Sequence, residues 1–326
     1  MAAVSSSENN SISGAQRGDQ IFRLILRLCA LVGYVIIGAL IVVLFLGALE
    51  TIGRFGFGFI TGQAWNPVEG EEQFGALPFI FGTIVTSIIA LVLATPLALG
   101  SALFVSEYAP RWIGAPVAFM VELLVAIPSV AYGIWGIFVL VPFMKSTVEP
   151  FLQKTVGQVP IIGALFPPKA AVNGYDILTA GVVLSIMILP TILSISREII
   201  AQVPRLQKEG MLALGATKWE VLSKAILPYA LGGIVGAAML GLARALGETM
   251  AVTMVIGNSS TAITPSLFTP GYTIASKIAN EALEADTATF FSAIVELGLV
   301  LLVVSLVFNV AARLLVKRIT RLPGGA

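Results

Sequence analysis

REIIAQVPRLQKEGMLALGATKWEVLSKAILP, residues 197 to 228, lies between two long apolar runs and gathers charge that its flanks lack. It strings together a proline break, a short amphipathic segment up to Gly215, and a second amphipathic segment ending at Leu227 and Pro228. That order predicts a helix, a tight turn and a second helix lying at a membrane face, with Lys218, Glu220 and Lys224 exposed. Two roles fit: a solvated loop that anchors the flanking spans, or a docking site for a partner.

The flanks, near 178 to 196 and 228 to 256, are two of six stretches long enough to cross a membrane; the others lie near 28 to 49, 77 to 105, 115 to 141 and 290 to 312. Crossing a hydrocarbon core takes about 20 mostly apolar residues at about 1.5 Å of rise each. The runs are continuous rather than alternating, which predicts an all-α integral membrane protein and not a barrel. Composition agrees: 57% of the 326 residues are hydrophobic and 11% charged, too few charges to cover a soluble globule of this size. Residues 1 to 20, polar and rich in Ser and Asn, are expected to form a disordered tail. The apolar run behind them is too long for a signal-peptide core and reads as a retained first span, so that residues 21–76 form a span with its outer loop. Residues 77–312 then make a core of five spans that includes the loop at 197–227, and 313–326 a second tail.

Of the 19 Lys and Arg residues, one, Arg244, falls inside a span; with both termini cytoplasmic, thirteen of the rest lie on inner segments and five on outer ones. That bias favours both termini inside. The net charge of +1 hides this asymmetry and says little about partners; no nucleic-acid partner is expected, and the surroundings implied are membrane lipid and other subunits. The outer loops fall at 50 to 76, 142 to 177 and 257 to 289, and GNSSTAITPSLFTPGY, 257 to 272, predicts irregular backbone after the fifth span. The chain has no histidine, a single cysteine at Cys29 and no GxxxxGK[ST] loop. Ordinary catalytic triads, most zinc sites and ATP hydrolysis within this chain are therefore not expected, and no cofactor or metal is implied.

Charge inside hydrocarbon is the other signal. ARALGETMA, 243 to 251, sets Arg244 and Glu248 four residues apart in the fifth span. A charged side chain at mid-bilayer costs about 2.5 to 3.5 kcal/mol on insertion scales, so both should face protein or a water-filled path. Counting from Pro228 at about 1.5 Å per residue puts Arg244 in the outer half of the membrane. On a continuous helix Gly233, Ala237, Gly241, Glu248 and Ala251 share its face, which would admit another backbone or leave room for a solute. The alternative is that Arg244 and Glu248 neutralise each other as an i, i+4 pair and lock two helices. Glu122, just before Ile127-Pro128-Ser129, either pairs with Arg244 or is a structural carboxyl.

The stretch from Glu209 through Gly215 to Leu227-Pro228 resembles the EAA loop of membrane subunits in bacterial ABC importers, with Gly210 and Met211 where two alanines are usual. GTIVTSIIALVLATPLALGSALFVSEYAP (82 to 110), ELLVAIPSVAYGIWG (122 to 136) and RALGETMAVTMVIGN (244 to 258) are similar to the phosphate-specific permeases of that family, in the PstC-type rather than the PstA-type member of the pair. The resemblance implies a type I ABC importer permease in which the loop is a coupling helix seated on an ATPase subunit through Glu209, Gly215, Ala216 and Thr217. It implies a complex of this chain with a PstA-type permease, two ATP-binding subunits and an extracytoplasmic phosphate-binding protein. It places Arg244, Glu248, Thr249, Glu122 and Ser129 on the path of phosphate through a bacterial inner membrane. A permease for sulfate or molybdate and a secondary anion transporter remain the alternatives.

Overall fold

The computed structural model describes residues 4–259 and 262–319. Among these, six helices are long and apolar enough to cross a membrane: Asp19–Gly47, Leu77–Tyr108, Ser129–Gln158, Ile177–Ala201, Lys218–Leu246 and Ala288–Leu314. The six-span, all-α architecture follows from the hydropathy pattern, with one small addition on the outer side.

The first span lies in α1 (Val4–Gly47), so the polar residues from Val4 onward, expected as a disordered tail, are helical; residues 1–3 lie outside the described residues. Exposed apolar side chains surround α1 from Ile21 to Leu46, as expected of a helix that faces lipid. Two short helices follow, α2 (Leu49–Phe55) and α3 (Phe57–Thr61), then a hairpin of β1 (Trp65–Asn66) and β2 (Gln73–Phe74) paired antiparallel. Thr51 of α2 meets Ser292 of the last helix, hydroxyl to hydroxyl at 3.1 Å, and Glu296 is buried one turn beyond at 5% exposure, not interfacial as its place near the span end suggests.

The second span is α4 (Leu77–Leu103), continued by a π-helical turn, Phe104–Tyr108. The third run behaves differently from the expected span at 115 to 141. Pro128 has no amide to donate and disfavours helix at the residue before it. The chain therefore breaks into α5 (Arg111–Val125) and α6 (Ser129–Trp135). The membrane-length helix begins at Ser129 and runs through α7 (Val141–Phe143) and α8 (Glu149–Lys154) to Gln158, well into the segment expected as an outer loop.

At the centre stands α9 (Ile177–Ala201), its amino end capped by Asp176, whose Oδ1 accepts from the Thr179 amide at 2.8 Å. It packs against α4, whose fully buried Ala90, Ala94, Ala98 and Ala102 form a stripe at helical spacing that lets the two backbones close. The connecting loop forms α10 (Arg205–Ala213) and α11 (Lys218–Val221), and the fifth span α12 (Leu227–Leu246). Then come α13 (Met250–Thr253), α14 (Ile274–Glu281) and α15 (Ala288–Ile319). The end of the bundle away from α10 is sealed by α14, where buried Lys277 sits over the rings of Trp65, Phe79 and Tyr272 at 4.6 to 5.2 Å and pairs with Glu281.

Candidate functional site

Arg244 occupies the last turn of α12 between the buried Leu242, Ala245 and Leu246 and is itself half-buried. Its Nη1 donates to Thr191 Oγ1 of α9 at 3.1 Å. The small residues of α12 fit against α9: a Cβ on Gly233 would sit 2.7 Å from Ile199, and one on Gly241 2.7 Å from Ile192. Of the two uses open to that face, close backbone approach is the one realised along α12. Arg244 is thus anchored by a neutral hydroxyl on a rigidly packed helix.

The expected continuous span to residue 256 is broken at Gly247, and this changes the partner of Glu248. With α12 ending at Leu246 and α13 starting at Met250, Glu248 no longer lies one turn above Arg244. Its Oε1 accepts from the Ala251 amide at 3.3 Å, where helix-end donors favour a carboxylate. No ion pair joins it to Arg244 among the described residues, so the mutual neutralisation weighed above does not form. Thr249 bridges the break, its hydroxyl donating to the Gly247 carbonyl at 3.3 Å.

A second break faces this one. Helices α6 and α13 touch closely: a Cβ on Gly133 would lie 3.2 Å from Ala251 Cα and 2.4 Å from Met254 Sδ, and one on Gly136 would lie 2.9 Å from Val255. Ser129, one turn before Gly133, opens α6. Tyr132 closes the break below α6 by donating its hydroxyl to the Leu124 carbonyl at 3.0 Å, and it lies within electrostatic reach of Arg244. Discontinuous helices that free backbone groups at membrane depth are where transporters hold polar solutes. Arg244, Glu248 and Thr249 flank the break at Gly247, and Ser129 opens the helix that packs against α13.

Glu122 does not join them. Its Oε1 accepts from Arg197 Nη2 of α9 at 3.2 Å, and more than half of its side chain is exposed. Arg197 counts as an inner-loop charge in the sequence, and the rotation of α5 on α9 that pairs the two is fixed by tertiary packing. Thr191 and Tyr132 also escaped the sequence reading; the signal for Thr191 was its place directly after Pro190 in an otherwise apolar run.

The loop forms the expected helix, turn and helix. Gly215 adopts φ +81°, a left-handed conformation that favours glycine, and its amide donates to the Leu212 carbonyl at 3.0 Å. The Ala216 amide closes on the Met211 carbonyl at 3.1 Å. Thr217 then caps α11 in a reciprocal box, its hydroxyl accepting from the Glu220 amide and its amide donating to Glu220 Oε2 at 3.0 Å. Glu209 is exposed on α10, and Leu206, Leu214 and Trp219 present apolar surface at 83%, 90% and 66% exposure. On the other side the loop is tied to the turn after α4: Lys208 Nζ meets Glu107 Oε1 at 2.5 Å, and Lys218 lies over the Tyr108 ring.

Comparison with known proteins follows this geometry. A family model described as "Binding-protein-dependent transport system inner membrane component" matches residues 94–321. The Phosphate transport system permease protein PstC of Mesorhizobium japonicum is 43% identical over 321 residues, 98% of this chain and 96% of that one. Its counterpart in Xylella fastidiosa is 46% identical over 312 residues, covering 94% and 93%. Among solved structures, an inward-facing MetNI methionine ABC transporter superposes with a TM-score of 0.54 over 74% of this chain and 95% of that one; at 17% identity this speaks to the fold alone. A chain with this break-bearing six-span fold, a family match across most of its length and such relatives belongs to the PstC family of binding-protein-dependent transport permeases.

Proposed function

We propose that this chain is the PstC-type membrane subunit of an ATP-driven importer of inorganic phosphate, and that Arg244 is the group on which the anion rests in transit. The observation that carries the reading is the setting of Arg244: a guanidinium in the fifth span, held at one nitrogen by the Thr191 hydroxyl, in the last turn of the helix that breaks at Gly247. A guanidinium presents a planar fork of five N–H donors suited to oxyanions, and four remain to meet a phosphate. A neutral anchor leaves the positive charge uncancelled, so attraction is retained. Glu248, aimed at the start of α13, supplies negative charge close by without capping the arginine, which favours release and disfavours a fully ionised oxyanion such as sulfate.

The partners follow from the family: a PstA-type permease completing the path, two ATP-binding subunits, and an extracytoplasmic phosphate-binding protein that delivers solute at the outer loops. The loop from Arg205 to Val221 is the coupling element, with Glu209, Gly215, Ala216 and Thr217 presented to the ATPase groove. Both termini lie in the cytoplasm, and energy comes from ATP hydrolysed by the partner subunits. The test is phosphate uptake by the reconstituted importer. Arg244→Ala should lower uptake by at least about tenfold, the loss of one strong ionic contact. Normal uptake in that variant, with the protein present at wild-type level, would remove Arg244 from the path. Glu248→Gln keeps an oxygen for the Ala251 amide and removes the charge; phosphate uptake with no gain in sulfate uptake would end the selectivity role.

A further inference from the structure

A cavity of about 590 Å³, the size of a small-molecule site, opens below the level of Arg244, between the π-helical turn after α4, the first turns of α5 and the end of α9. Val105, Ser106, Gly114, Ala115, Arg197 and Glu198 line it. Resting on the proposed function, we infer that Arg197 and Ser106 form a second, inner site for the phosphate anion, for which Glu122 is the competing ligand.

Arg197 is poorly satisfied for a structural charge. It spends one donor on Glu122, through a single contact of 3.2 Å, and makes no other hydrogen bond among the described residues. The Arg197 side chain is 26% exposed, so its other donors face water that an arriving oxyanion can replace. Here Glu122 is 58% exposed and the guanidinium borders open volume. Ser106 adds an independent sign. Its Oγ has no hydrogen-bond partner and is turned away from the cavity, so rotation of the side chain toward an anion there would gain it a bond at no loss. An arginine with unspent donors beside an orphaned hydroxyl selects an oxyanion. Glu198, exposed on the same wall, opposes tight retention at the cytoplasmic mouth.

Glu122, the resting partner of Arg197, lies two residues back along α5 from Leu124, whose carbonyl accepts from Tyr132 across the break before α6. On the cytoplasmic side, the wall that carries Ser106 is the turn whose Glu107 is gripped by Lys208 of α10. Movement of the coupling loop therefore moves one wall of the cavity.

The experiment uses the whole importer in proteoliposomes and reads inorganic phosphate taken up per ATP hydrolysed. Arg197→Gln should lower that ratio by at least about tenfold, and Ser106→Ala by about threefold or more. Removing an orphaned hydroxyl cannot harm packing, so a purely structural reading predicts unchanged uptake and equal or higher thermal stability for Ser106→Ala; that result overturns the site. The charge swap, Arg197→Glu with Glu122→Arg, should stay as impaired as Arg197→Gln, because the arginine has left the cavity. Recovery to more than about half of the wild-type ratio would show a mere ion pair and overturn the site too. If Arg197→Gln fails to assemble, Ser106→Ala decides alone. A wild-type importer that moves no phosphate would instead defeat the functional reading itself.

Discussion

The contact between Lys208 and Glu107 tests whether the loop proposed as the coupling element acts on the membrane spans. Lys208 lies on α10 and Glu107 in the π-helical turn after α4; the Nζ to Oε1 distance is 2.5 Å, and each side chain is 20% exposed. Exposed pairs contribute about 0 to 1 kcal/mol and the breaking of buried ones costs about 3 to 5 kcal/mol, so this half-buried tether is worth about 1 to 2 kcal/mol. At 1.4 kcal/mol per tenfold, that is about 5- to 30-fold in any equilibrium in which the loop pulls on the turn. Lys208→Met keeps the aliphatic stem and removes the charge; Glu107→Gln removes its partner. Each should raise the ATP consumed per phosphate transported by several-fold, and the double variant should be no worse than either single, since both remove one interaction. Salt should matter little to the wild type because the pair is shielded from solvent. Effects that multiply in the double variant, or unaltered ATP cost in both singles, would refute the tether as a transmission element.

Thr191→Val keeps side-chain shape and removes the one hydroxyl that anchors Arg244; uptake should fall by about tenfold or more, matching a lost hydrogen bond to a charged group, with the protein present at wild-type level. Gly241→Val forces branched carbon into a contact already 2.7 Å from Ile192, and should lower stability by about 1 to 3 kcal/mol, seen as an earlier thermal midpoint. Lys277→Met leaves Glu281 with only the Trp65 Nε1 donor at 2.7 Å and empties an aromatic cage; a loss of about 2 to 4 kcal/mol should appear in the same melt, with the outer ends of α4 and α14 first to open to proteolysis.

The spans were legible because hydrocarbon imposes length and polarity on any sequence that crosses it, and the loop because glycine, threonine and proline there have local jobs that can be read one residue at a time. Gly215 needs its left-handed φ and Thr217 its cap whatever the rest of the chain does. The breaks were less legible. Ile127-Pro128 was visible as a weak point, yet hydropathy is continuous across it, so the span was placed about fourteen residues too early, a shift that at about 1.5 Å per residue is longer than one leaflet of the hydrocarbon core. Gly247 gave still less warning, since glycine inside a membrane helix more often serves packing, as Gly233 and Gly241 do. The partners of Glu122 and Glu248 were beyond reach for one reason: each is chosen by a rotation or a break fixed by a neighbouring helix, and four-residue spacing implies contact only along an unbroken helix.

The ionic groups of this chain fall into two kinds, and the difference is in how far they are satisfied. Lys277 is enclosed: three rings, a carboxylate from its own helix and 4% exposure leave its ammonium nothing further to attract. Arg244 and Arg197 are held each by a single bond, one to a hydroxyl and one to a half-exposed carboxylate, with most of their N–H donors unspent. Saturation serves a fold, because an enclosed and fully paired charge has no reason to move. A transport path requires the opposite: a resting ligand weak enough to be displaced by the solute, and strong enough to reclaim the arginine once the solute has gone. Thr191 and Glu122 have that character, and the outer ligand is the weaker. On the proposed path the anion would displace a hydroxyl at Arg244 and a carboxylate at Arg197, the second at the greater cost, so net inward movement requires the energy that ATP supplies.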